Sequence, residues 1–111
     1  MKERTMALSI PLEVKKAVAE RDSCEGHPCC ILCGRPAPLS YPLAYSNAHY
    51  ISRAQGGLGI EENILTLCPG CHRDYDGRMR NELRPILTGY LKEKYGNWSE
   101  DNLVFRKENK C

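Results

Sequence analysis

Four of the seven cysteines form two Cys-x-x-Cys knuckles, Cys30-Ile31-Leu32-Cys33 and Cys68-Pro69-Gly70-Cys71, with 34 residues between them. A tight turn at that spacing presents two thiolates to one side. Two such turns complete a closed tetrahedral zinc site that leaves no position open for chemistry. The gap exceeds the roughly 15–20 residues of a compact zinc ribbon, so a subdomain must loop out between the knuckles. A redox dithiol would need only one such motif, set in a βαβ pattern that this sequence lacks. Cys29 could take the place of Cys30 by slippage but lacks the x-x spacing, and Cys24 and Cys111 have no evident partner. The other reactive side chains, His49, Arg53, Asn63, His72 and Asp76, lie in the looped-out segment or just beyond it. On a helix, His72 and Asp76 share one face, and an imidazole with a carboxylate suits a divalent cation that keeps open positions. A nearby histidine, with an ordinary pKa of about 6.5, can take a proton from water at such a centre. Taken singly, each signal is weak: a lone His is more often a hydrogen-bonded structural residue, and an i,i+4 His/Asp pair is often only a helix-surface contact.

These residues need elements to position them. Ser9-Ile10-Pro11 reads as a helix start, with Ser9 as N-cap and Pro11 in the first turn, and the helix runs to about Asp22-Ser23. Its apolar face is Leu12, Val14, Ala17 and Val18. Residues 24–45 are rich in Cys, Pro and Gly, the composition of loops and turns. Residues 48–52 (AHYIS) and 64–67 (ILTL) have strand character, joined by a loop whose glycines permit positive φ. Residues 74–95 can hold one or two helices, with Pro85 at a start or kink and Gly96 as C-cap. Leu83, Ile86, Leu87, Tyr90 and Leu91 form a stripe at helical spacing that reads as core. The polar end of the chain is expected to fray.

In order along the chain, Cys30-x-x-Cys33-Gly34, AHYISRAQGGLG and EENILTLCPGCH followed by Asp76 resemble the HNH endonucleases. The resemblance implies a small α+β fold, a ββα-metal (His-Me finger) core stapled by a four-cysteine zinc site, with flanking N- and C-terminal helices. It implies one nuclease domain over 1–111, with a motif core at about 17–77 and a helical extension over 78–111. By the family pattern, His49 is the general base that activates water, Asn63 fixes the loop and helps orient it, and His72 ligates the metal. Asp76 stands where many members carry a further ligand. Magnesium or manganese is the expected cation, with nickel or zinc also compatible with a histidine ligand. One position departs from the pattern: Ala48 stands where many members carry a ligand just before the base. Either His72 and Asp76 hold the metal with waters and substrate oxygens, or another residue such as Asn47 contributes. A third option slides His49 to the ligand position and leaves Tyr50 as base; the seven residues from His49 to Gly56 favour His49 as base. The wording is closest to small phage and prophage members, which would make a packaging terminase a partner; a restriction or mobile-element role is equally open.

DNA is the expected partner, held mainly through its phosphate backbone by Arg53, Arg73 and Arg78, with no base-reading module evident. The 111 residues, with a net charge of +2 and 7% aromatics, suit one domain with a lean core, in which bound metal supplements hydrophobic burial. The net charge neither indicates nor excludes nucleic acid. No run of about 18 apolar residues exists to span a membrane, and the first 16 residues lack a signal-peptide h-region, so a cytoplasmic chain is expected. The leading expectation is a metal-dependent DNA endonuclease or nickase. A catalytically silent, zinc-stapled DNA- or protein-binding module and a thiol redox protein are the alternatives.

Overall fold

The computed structural model describes residues 6–24, 26–37 and 45–105. After a helical turn at 6–8, helix α1 spans Leu12–Arg21. The helix begins past the expected Ser9 cap, with extended Pro11 (φ −65°, ψ 158°) as N-cap and no side-chain cap bond. A proline disfavours helical geometry in the residue before it, so Ile10 cannot belong to the helix. Of the expected apolar face only Val18 is fully buried, and Leu12 is 65% exposed. The far end of α1 is fixed by polar contacts instead. Arg21 donates to Asp22 (2.7 Å) and to the carbonyls of Glu61 (2.8 Å) and Ile64 (2.6 Å). Buried Asp22 accepts from the Thr66 backbone N–H (2.9 Å) and from the Tyr90 hydroxyl.

Strands β1 (Ser23–Cys24) and β2 (His27–Pro28) form a hairpin, and Gly26 takes φ 85° in its turn. Cys24 is not without a partner: it forms a disulfide with Cys29. The hairpin brings the two Cα atoms to 6.2 Å, within bridging range. That bond takes Cys29 and leaves Cys30 to the first knuckle. Cys111 and the polar end lie outside the described residues.

Strand β3 (Ser46–His49) pairs antiparallel with β4 (Ile64–Leu67), with His49 opposite Ile64 and Ala48 opposite Leu65. The first strand lies two residues earlier than its apolar run suggests. It ends because the Ile51 N–H turns from the ladder to the Asn63 side chain (2.8 Å). All four β4 residues are buried, because α1 packs against the strand as well as its β3 partner and α2. Helix α2 (Pro69–Asp76) follows at once, capped by Cys68, whose sulfur accepts from the Cys71 N–H, with Pro69 at the first position. β3, β4 and α2 are the ββα unit. Helix α3 spans Arg80–Lys94, with Pro85 inside it rather than at a break, and Tyr95 rather than Gly96 caps its end. Leu87 and Leu91 are fully buried and Leu83 and Tyr90 partly so, but Ile86 is 54% exposed and is not core. The core joins these helical leucines to Ala48, Tyr50, Leu65 and Tyr75. No helix among the described residues is long and apolar enough to cross a membrane.

Candidate metal centre and active-site cavity

The Ile31 N–H bonds to the Thr66 carbonyl (3.0 Å), which ties the first knuckle to β4 and sets it beside Cys68. The sulfurs of Cys30, Cys33, Cys68 and Cys71 all lie within 4.8 Å of one another, with Cys33 and Cys68 at 3.8 Å. Zinc–sulfur bonds of about 2.3 Å in a tetrahedron put sulfurs about 3.8 Å apart, so the cluster fits zinc. The knuckles repeat one geometry: the Cys33 N–H points at the Cys30 sulfur and the Cys71 N–H at the Cys68 sulfur, each at 3.5 Å. Burial pushes the Cys30 thiol up, but N–H groups of Cys68, Cys33 and Leu32 outweigh it and bring it down to about 7. A thiol of that acidity is readily available as the thiolate a metal needs.

A separate open cavity of about 540 Å³ is lined by Ile10, Asn47, His49, Ser52, Arg53, His72, Asp76 and Arg80. Strand alternation points Asn47 and His49 to this side and sends Ala48, with no exposed surface, into the core. His72 and Asp76 face the cavity from α2, one helical turn apart, with Nε2 to Oδ2 at 3.2 Å. His49 Nε2 lies 2.9 Å from the Leu8 carbonyl. Burial pushes the His49 pKa below its ordinary value, and Arg53 and His72 push the same way against the Leu8 carbonyl and Asp76. The shift favours the neutral imidazole, the state in which it accepts a proton.

Asn63 is fully buried at the foot of this site. Its Oδ1 accepts from the Ile51 N–H (2.8 Å), and its Nδ2 donates to the carbonyls of Leu58 (2.9 Å) and Ile51 (3.2 Å). Its own carbonyl accepts from the Tyr50 N–H (2.7 Å), the residue after His49. This packing explains the Gly-Gly pair. Gly56 takes φ 87°, and a Cβ on Gly57 would lie 1.7 Å from the Ile51 carbonyl oxygen. The C-terminal segment seals the same loop, with bonds from the Leu58 N–H to Leu103 (2.7 Å) and from the Phe105 N–H to Gly56 (2.8 Å).

Tyr50 does not line the cavity. Its hydroxyl is buried, donates to Glu100 (2.6 Å) and accepts from Arg84 Nε (3.1 Å). Of the three expected phosphate-binding arginines, Arg53 lines the cavity, while Arg73 and Arg78 are exposed outside it. The arginine that sequence reasoning missed as a site residue is Arg80. Its Nη2 donates to the Tyr50 carbonyl (2.9 Å), which also accepts from the Tyr75 hydroxyl (2.7 Å), and its guanidinium lies over the Tyr75 ring (4.5 Å). Spacing gave no signal for it, because the α2 register that links His72 and Asp76 ends at Gly77, three residues earlier. No curated protein matches the chain. Residues 30–78, from the first knuckle cysteine to just past α2, match the family model described as HNH endonuclease.

Proposed function

We propose that the protein is a metal-dependent DNA endonuclease or nickase, acting as a single unit of motif core 17–77 and extension 78–111. The observation that carries this reading is the meeting of His49, Arg53, His72 and Asp76, from a strand, a 3₁₀ turn and a helix, around one cavity. His49 takes the proton of the attacking water, and Asn63 holds the backbone that positions it. His72 and Asp76 would hold the divalent cation, magnesium or manganese, with nickel or zinc also suited to an imidazole ligand. Asn47 offers the oxygen that Ala48 cannot. Such a cation, when bound, polarises the scissile phosphate and stabilises the leaving 3′-oxygen. Arg53 and Arg80 orient the phosphate from the cavity wall, and Arg73 and Arg78 contact the backbone on either side. The four-cysteine zinc site holds the fold and takes no part in the chemistry.

The test is nicking of supercoiled plasmid with magnesium, manganese or nickel. His49→Ala should lower kcat by about 10²- to 10⁴-fold, the usual span for loss of a general base, with DNA binding retained. Cleavage by His49→Ala at the wild-type rate would refute the base assignment. No cleavage by the wild type with any of the metals would favour a silent, zinc-stapled binding module.

A further inference from the structure

We propose that residues 7–10, which lie outside the family match, are a positioning element of the catalytic centre: the Leu8 carbonyl fixes the tautomer and aim of His49. This rests on the reading of His49 as general base. A carbonyl oxygen only accepts, so the 2.9 Å contact requires the proton to sit on His49 Nε2. A neutral imidazole then carries its lone pair on Nδ1, the one nitrogen left for the proton of water. As that proton moves to Nδ1, the water oxygen bonds to phosphorus, the bond from phosphorus to the 3′-oxygen breaks, and the leaving oxygen takes a proton from solvent.

The segment is seated firmly enough to do this. Leu8 is 2% exposed, the Gly59 N–H bonds to the Ala7 carbonyl (2.9 Å), and Ile10 reaches the cavity wall. Gly59 permits the approach, because a Cβ there would lie 1.9 Å from the Ser9 carbonyl oxygen and 2.5 Å from its carbon. Both are backbone atoms, so any side chain at 59 must displace the segment. The glycine loop, pinned from below by Asn63, is thus a platform that sets the N-terminal segment against His49.

Gly59→Ala in the full, zinc-loaded chain tests this without touching His49. Misplacement of about 1 Å can cost about 100-fold, so kcat should fall by about 30-fold or more while KM for plasmid stays within about twofold. In the His49→Ala background the same substitution should cost less than about twofold of the residual rate, because the segment acts through His49. Leu8→Ala, which unseats the segment but keeps Gly59, should repeat both results and serves if Gly59→Ala fails to bind one zinc per chain. Wild-type kcat in both variants, or an equal loss in both backgrounds, overturns the inference. If His49→Ala is inactive and the segment variants are fully active, this inference alone fails. If His49→Ala cuts like the wild type, the general-base reading itself fails.

Discussion

Asn63 offers the most demanding check on how this site is built. Its fully buried amide makes three hydrogen bonds, to the Ile51 N–H and to the carbonyls of Ile51 and Leu58. Each is worth about 1 kcal/mol net, and orphaning the Ile51 N–H adds its desolvation penalty, so Asn63→Ala should cost about 4 kcal/mol. That is a large part of the 5–15 kcal/mol typical of a domain. Asn63→Asp separates shape from hydrogen bonding. One carboxylate oxygen keeps the Ile51 N–H, but the other faces two carbonyls and can bond to them only as a protonated O–H. The folded-state pKa of this carboxyl is therefore raised above the unfolded value of about 3.9. Stability is then fully present below the unfolded pKa and lost as pH rises toward the folded one. The deficit of Asn63→Asp against wild type should widen by up to about 1.4 kcal/mol per pH unit between about pH 5.5 and 7.5. Urea unfolding at saturating zinc, at several pH values, measures both effects. A loss below about 1 kcal/mol for Asn63→Ala, or a deficit of Asn63→Asp that is flat with pH, would refute the reasoning.

Two further outcomes follow from the cysteines and from Arg80. Elemental analysis should find one zinc per chain, lost in Cys68→Ser and by chelation together with the fold, but kept in Cys24→Ser, whose sulfur serves the hairpin alone. Arg80→Ala should lower plasmid cleavage by tens-fold, and Arg80→Lys should fail to restore it. A single ammonium cannot hold the Tyr50 carbonyl, lie flat on the Tyr75 ring and face the cavity together. Wild-type cleavage by the lysine variant would remove Arg80 from the site.

Much of the core was legible because its signals are local. Cys-x-x-Cys spacing dictates a knuckle, ILTL between turn residues makes a buried strand, and the i,i+4 pair of His72 and Asp76 needs only a helix. Asn63 and the glycine loop were readable through the family resemblance, and their packing supplies its physical reason. The cysteine at 24 was misjudged because a metal site accounted for its neighbours. Whether Cys24 meets Cys29 depends on the turn between β1 and β2, which spacing does not give. The Ala48 puzzle changed in the same way. With the strand begun at Ser46, alternation sends Ala48 into the core and brings Asn47 beside His49, but that register depends on where Asn63 ends the ladder.

By itself, the sequence singled out the four clustered cysteines and the i,i+4 pair of His72 and Asp76, because each rests on spacing within one element or turn, while His49 and Asn63 were picked out as candidates by the family resemblance. Only the tertiary structure decided that Arg80 joins Arg53 at the cavity, that Tyr50 belongs to the core, and that the Leu8 carbonyl meets His49. Those contacts join residues 30 to 50 apart in the chain, and no local periodicity encodes them.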